Sequence, residues 1–419
     1  MVVDNRSGEV LSYLGNGATV SSARYVDGVR AWRQAGSTLK PFLYALAFEN
    51  RLLTPASLID DSPVDISLSN GIYRPSNYED GFRGLVSARI ALASSLNIPP
   101  VRVLDLVGVD RFVKQLDDLG FRRLNSGQHY GLSLALGSAE VTLWDLVNGY
   151  RTLANDGLRS VLRLSQDTSS GPGGRVLSAE AAYLVSNILA DRGSRSLTFG
   201  LESPLATSYW TAVKTGSSKD MRDNWCVGFS SDYTVGVWVG NFSGQPMWDV
   251  SGMTGAAPIW VEVMNRLHSS RPSRAKEAPE GIVIGKVRFA VAEQSQSEWF
   301  LRGTESELVS RIPPTLVPEI DYPPPGGIFA LDPDIPDEQQ RVFFLATAAA
   351  ANLSWVLDGK KLGSAADPWS WSPQTGRHTL SLADRNGVAV DSVGFSVRGG
   401  GSRVGTLNPS AVIESGRQR

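Results

Sequence analysis

Apolar residues fall on every face of segment 37–51, where Phe42, Leu43, Tyr44, Ala45, Leu46, Ala47 and Phe48 run together. A helix without a polar stripe belongs in the middle of a domain, not on its surface. Pro41 lies in its first turn, where a missing N–H costs little. Further helices are expected at 85–95, stopped by Asn97-Ile98-Pro99-Pro100, at 109–119, ended by Gly120, at 140–154, ended by Asn155-Asp156-Gly157, and at 178–191. The pattern then turns to strands at 208–214, 225–229 and 233–240, and a helix at 258–268 closes the unit. At the other end, residues 1–3 read as a strand, 4–8 as a turn and 9–13 as a returning strand. A chain that opens inside a hairpin is expected to be part of a longer one.

Beyond residue 268 the pattern thins. Residues 269–319 read as a linker, polar and proline-bearing at 269–280 and with short strands expected at 282–292 and 299–301. Pro313, Pro314, Pro318 and Pro323 to Pro325 mark a boundary. Short alternating runs punctuated by Asp358-Gly359 and Asn386-Gly387 then make 320–398 a small β-sandwich of about seven strands. Residues 399–419, rich in Gly, Ser and Arg, read as a disordered tail. The expected whole is a mixed α/β domain at 1–268 followed by a small all-β domain.

Composition narrows the chemistry. The 419 residues carry 40 basic and 42 acidic side chains, a balance that argues against a nucleic-acid-binding surface. The single cysteine, Cys226, excludes an internal disulfide and a cysteine-ligated zinc, and reads as a small buried apolar residue. Histidines 129, 268 and 378 lie far apart without metal-ligand spacing, so neither a metal nor an imidazole base is expected. Trp225, Trp238 and Trp260 read as core, and Trp355, Trp369 and Trp371 as the filling of the sandwich. Asp332-Pro333-Asp334 reads as a turn in preference to a calcium site.

Three short motifs remain, in order: Ser37-Thr38-Leu39-Lys40, Ser95-Leu96-Asn97 and Lys214-Thr215-Gly216-Ser217. Ser-x-x-Lys alone arises about once by chance in a chain this long, and Ser273-Arg274-Ala275-Lys276 is such a decoy in the linker. Context separates them. Ser37 and Lys40 open a buried helix, where an i, i+3 pair shares one face. A lysine there can serve as a base only if its pKa falls by roughly two to three units from about 10.4. Burial on that helix pushes it that way.

With these motifs the chain resembles the active-site serine penicillin-binding proteins. The likeness extends to Gln34-Ala35-Gly36-Ser37-Thr38-Leu39-Lys40-Pro41-Phe42, to Asn77-Tyr78, to the run Leu134 to Thr142 and to Ala154-Asn155-Asp156-Gly157, which resemble the bifunctional class A branch. The resemblance covers residues 1 to about 398. It implies a transpeptidase fold, an antiparallel sheet with a helical subdomain, followed by an immunoglobulin-like sandwich. It implies Ser37 as nucleophile, Lys40 as its base and Ser95 as proton relay. It further implies Asn97, Lys214, Thr215, Gly216 and Ser217 as substrate binders, with the N–H groups of Ser37 and Ser217 as oxyanion hole. The implied reaction cross-links peptidoglycan stem peptides ending in D-Ala-D-Ala, without a cofactor, and is blocked by β-lactams; water in place of the acceptor amine gives carboxypeptidase activity. The implied setting is the periplasmic face of a bacterial inner membrane, in a parent that carries an anchor and a glycosyltransferase domain upstream. The sandwich would serve a protein partner.

Two alternatives are weighed. A class A β-lactamase needs a glutamate-activated water, and between Asn97 and Lys214 only Glu140, Glu180 and Glu202 exist. Glu140 is read instead as tying down a helix start. A binding or sensing module with little turnover shares the motifs and differs in its kinetics. A lipase-like hydrolase is excluded, because no Gly-x-Ser-x-Gly occurs.

Overall fold

Five antiparallel strands build the central sheet, in the order Ala212–Ser217, Asp223–Phe229, Tyr233–Gly240, Val2–Asp4, Val10–Ser12. The computed structural model describes residues 1–17, 23–63, 66–68, 71–73, 77, 81–164, 173–199, 204–289, 295–309, 318, 320–331, 340–346, 353–366 and 369–399. The expected tail at 399–419 and the turn at Asp332 to Asp334 therefore lie outside the described residues, apart from Gly399. The chain divides into two compact units, Met1–Ser310 and Arg311–Arg419. Among the described residues no helix is long and apolar enough to cross a membrane.

The all-apolar segment forms a 3-10 turn, Gly36–Leu39, that runs into the helix Lys40–Glu49. Eight of that helix's ten residues are buried, as a segment without a polar face requires. Phe42 meets Phe121 and Tyr150 edge-on, with ring centroids 5.5 and 5.4 Å away. Such packing makes each ring worth about 3–5 kcal/mol against alanine. Around it stand the helices Leu143–Ala154 and Ala179–Ala190, whose N-caps Thr142 and Ser178 accept from the backbone N–H three residues on. Trp225 and Trp260 are fully buried, as is Cys226, whereas Trp238 is half-buried.

Several boundaries moved. The helix expected at 85–95 begins as a strand, Leu85–Ser87, and becomes helical only at Ala88–Ala93. Ile98-Pro99-Pro100 does not stop a helix but starts one, Ile98–Val107, since proline at the first positions lacks an N–H the helix would leave unpaired anyway. Glu140 does not tie down a helix start: it is exposed on the short strand Glu140–Val141, and Thr142 is the cap. The strand expected at 208–214 runs Ala212–Ser217.

The segment read as a linker also differs. Ile282–Phe289 and Ser295–Leu301 pair as a hairpin, with Leu308–Val309 parallel to its first strand. Val287 and Phe300 are fully buried with Ala56, and Trp299 packs edge-on against Tyr183 at 5.5 Å. Glu298, only 3% exposed, takes both arms of the Arg89 guanidinium at 2.6 and 2.7 Å, while Asp191 takes a third bond at 3.0 Å. The polar stretch 269–280 that suggested a linker is mostly exposed, with Ser273 buried, and it leads into this packed hairpin.

In the second unit a three-stranded sheet, Ile320–Tyr322, Val342–Ala346 and Trp369–Trp371, shares an apolar core with a five-stranded sheet. The latter runs Ile328–Ala330, Ala389–Arg398, Gly376–Ala383, Ser354–Leu357, Lys360–Ser364. Trp355 fills the core; Trp369 and Trp371 are only partly buried and pack against it.

One backbone contact within the first unit is tight enough to test. Gly137 has φ +76°, and a Cβ there would come within 1.9 Å of the Gly36 carbonyl oxygen. Gly84 has φ +66° but open space around it. Gly84→Ala should cost only the left-handed penalty, about 1–2 kcal/mol. Gly137→Ala should cost clearly more, about 3 kcal/mol or above, because two backbones must separate. Equal melting temperatures for the two variants would refute the close-approach argument.

Candidate active site

The three motifs come from three places: the start of the buried helix, the loop between helices Ala88–Ala93 and Ile98–Val107, and the edge strand Ala212–Ser217. The helix start is pinned from several sides. Ala35 N–H donates to the Ala139 carbonyl at 3.0 Å and Gly36 N–H to that of Gly137 at 3.1 Å. Trp225 Nε1 donates to the Gln34 carbonyl at 2.9 Å, and the Tyr150 hydroxyl to that of Thr38 at 2.9 Å. Gly36, at φ +55°, lies so close to the edge strand that a Cβ would sit 2.6 Å from the Ser217 carbonyl oxygen. A Cβ on Gly216 would meet Thr38 Cγ2 at 2.7 Å. Ser37 is thus flanked on both sides by residues in contact with Gly216 and Ser217.

Lys40, 1% exposed, joins the helix to the loop. Its Nζ donates to the carbonyls of Ser95 and Leu96 at 2.9 and 2.8 Å and to Asn97 Oδ1 at 2.8 Å. Lys214 joins the loop to the strand. Its Nζ donates to Ser95 Oγ at 2.6 Å and to the Thr215 carbonyl at 2.7 Å. Ser95 has φ +58°, a left-handed conformation that costs a non-glycine residue about 1–2 kcal/mol. Ser217 Oγ accepts from Gly252 N–H at 2.9 Å. The contacts close a circuit: helix to loop through Lys40, loop to strand through Lys214, and strand back to helix through two glycines.

Electrostatics follows from that burial. Desolvation, then the like charge of Lys214, holds Lys40 well below the usual lysine range, opposed by Asp61. Lys214 is pushed down to about 7, first by burial and then by the Arg195 guanidinium. The three acceptors around Lys40 Nζ favour its charged form and burial the neutral one; with a second amine nearby, the downward direction prevails. Cys226, behind Lys214, is driven the other way by desolvation and so stays a thiol.

All eight residues expected at the site, Ser37, Lys40, Ser95, Asn97, Lys214, Thr215, Gly216 and Ser217, therefore lie on this circuit. Of the glutamates weighed for a β-lactamase, Glu140 is exposed, Glu180 lies against Gly281, and Glu202 is outside the described residues. Among the described residues no group of three or more His, Cys, Asp or Glu side chains is placed to hold a metal. The sequence reading missed Arg195, which is 5% exposed, donates to the Leu189 carbonyl and acts on Lys214. It also missed the Trp225 and Tyr150 anchors. An isolated arginine or aromatic carries no spacing signal.

Two family models and several known proteins match the chain. Residues 1–265 match the penicillin binding protein transpeptidase domain, and 313–395 match the Penicillin-Binding Protein C-terminus Family. Penicillin-binding protein 1C of Escherichia coli is 35% identical over 287 residues, 67% of this chain and 35% of that protein. Penicillin-binding protein 1A of Pseudomonas aeruginosa is 27% identical over 348 residues, 67% of this chain and 41% of the other. The chain thus spans little more than a third of the length of these relatives. Among solved structures, penicillin-binding protein 1A of Haemophilus influenzae superposes with a TM-score of 0.59 at 23% identity, over 67% of this chain and 50% of the other. PonA1 of Mycobacterium tuberculosis, in complex with penicillin V, gives 0.56 at 21%, over 66% and 79%.

The depressed Lys214 has a consequence for stability. Its folded pKa lies below the unfolded value, so between pH 7 and about 10 the unfolded chain binds more protons and this group's contribution rises with pH. Lys214→Met removes the titration. The stability of the parent relative to that variant should grow by about 2 kcal/mol between pH 7 and 9, measured by denaturant unfolding. A constant difference would show that Lys214 is not depressed.

Proposed function

The chain belongs to the penicillin-binding protein transpeptidase family, and on that premise we propose that it is a serine D,D-transpeptidase acting on peptidoglycan stem peptides. The observation that carries this reading is the circuit joining Lys40, Ser95 and Lys214, closed by the backbone on either side of Ser37. Ser37 Oγ attacks the carbonyl of the penultimate D-alanine, forming an O–C bond as the C–N bond to the terminal D-alanine breaks. The hydroxyl proton passes to Lys40 in its neutral form. Ser95, held by Lys214, relays a proton to the leaving amine, so free D-alanine departs with its nitrogen protonated. The amine of a second stem peptide then attacks the ester and returns a proton to Ser37. Water in that role gives the carboxypeptidase side reaction.

The binding roles follow from charge and space. Lys214 supplies positive charge for the donor's terminal carboxylate, with Thr215 and Ser217 as hydroxyl donors beside it. Gly216 lets the strand backbone approach the substrate, and Asn97 holds the substrate amide. The N–H groups of Ser37 and Ser217 face the developing oxyanion. A β-lactam mimics the donor: its ring amide opens without losing a leaving group, so the acyl-enzyme persists. The PonA1 complex with penicillin V supports β-lactam recognition by this fold. The setting we propose is the bacterial periplasm, where such a substrate is found.

Intact-mass spectrometry after penicillin exposure tests the reading. One adduct of the full penicillin mass is expected on the wild-type chain, lasting far longer than a β-lactamase intermediate. None is expected on Ser37→Ala. Lys40→Met should slow acylation by at least about 100-fold, the low end of a general base's contribution. Labelling that persists in Ser37→Ala would overturn the assignment.

A further inference from the structure

Asp61 is a fully buried carboxylate to which the proposed reaction gives no role. It follows the strand Leu58–Asp60, and its N–H donates to the Gly84 carbonyl at 2.7 Å. Its oxygens accept from Asn77 Nδ2 at 2.9 and 3.1 Å and from the Arg83 backbone N–H at 3.0 Å. These partners are neutral amides. A carboxylate withdrawn from water usually costs several kcal/mol unless donors and an opposite charge compensate.

Asn77 is also buried, and its other end reaches the site. Its Oδ1 accepts from the Asn97 backbone N–H at 2.9 Å, while its Nδ2 also donates to the Gly81 carbonyl at 3.1 Å. Asn97 Oδ1 in turn accepts from Lys40 Nζ at 2.8 Å. One amide side chain therefore bridges the carboxylate to the residue that holds the lysine. We propose that Asp61 is a positioning residue for the reaction: through Asn77 it fixes Asn97 and the Lys40 amine, and its negative charge acts on that amine through space.

The charges around Lys40 support an electrostatic part. Lys214 faces it from the edge strand and lowers its proton affinity, as burial does; Asp61 opposes both. Arg195 and Cys226 act on Lys214. From its own helix comes Tyr44, one turn on, whose hydroxyl is buried with no partner among the described residues and which feels the charge of Asp61. Asp61 is thus the negative charge that offsets the second amine on the Lys40 side, among the described residues.

The inference rests on the reading of Lys40 as base of Ser37, so the test separates the two. Asp61→Asn in the full chain keeps size and an acceptor oxygen but removes the charge. Lysine 13Cε NMR, with Lys40 assigned through Lys40→Arg, should show its midpoint falling by about half a unit to one unit, the size of one charge acting through a few ångströms of protein. A midpoint unchanged to within about 0.2 unit would overturn the electrostatic part, since a purely structural pin leaves it in place. The acid limb of penicillin acylation should move to lower pH with it, because a base of lower midpoint is neutral at lower pH. A shifted midpoint with a fixed limb supports the role of Asp61 and refutes Lys40 as the base. Asn77→Ser, too short to span both partners, keeps the charge and cuts the bridge, and serves also if Asp61→Asn does not fold. It should slow acylation about tenfold or more with the Lys40 midpoint unchanged; acylation within about twofold of wild type would overturn the positioning part.

Discussion

Two amines buried side by side are the constraint on which the rest of the first unit depends. Water would keep Lys40 and Lys214 apart and charged; the core and the sheet edge hold them together around one loop. That costs solvation, and the structure offsets it with carbonyls, a hydroxyl and one asparagine oxygen drawn from Ser95, Leu96, Asn97 and Thr215. The left-handed backbone at Ser95 belongs to the same arrangement, because one residue must offer its carbonyl to one lysine and its hydroxyl to the other. Nothing local favours that conformation for serine. It persists because the surroundings determine it more strongly than its own preference does.

The scaffold keeps these groups in place by bringing backbones together. Gly36 and Gly216 leave no room for a side chain where the helix start meets the edge strand, and Gly137 leaves none behind it. Trp225 and Tyr150 then tie carbonyls on either side of Ser37. In the proposed reaction, a serine held this way needs little rearrangement to meet a substrate lying along the strand, which is where a positioned reaction gains most over a collision in water.

Legibility followed the kind of signal each part carries. The buried helix was readable because an apolar run without a polar stripe has one physical explanation, and the motifs because their residue types sit at fixed spacing. The helix Ile98–Val107 was hidden by its own prolines, which break a helix interior yet suit its first turn. The strands of the hairpin Ile282–Leu301 were legible, but not their packing against the rest of the first unit, because Glu298 looks solvated until Arg89 is placed beside it. Asp61 and Asn77, sixteen residues apart and on no common periodicity, left no trace of their pairing. Pairs made by tertiary folding cannot be read from spacing.

The Arg89 cluster also bears on where this domain ends. Arg89 lies in the helix that leads into the Ser95 loop, and its bidentate partner Glu298 lies more than thirty residues beyond residue 265, where the transpeptidase match stops. A chain trimmed at that point would keep every motif yet leave a largely buried guanidinium with only Asp191 and the Asn187 side-chain oxygen, one turn from the loop that holds both lysines. The hairpin is thus a built-in brace: the working module is longer than its signature, and its modular border lies past Leu301.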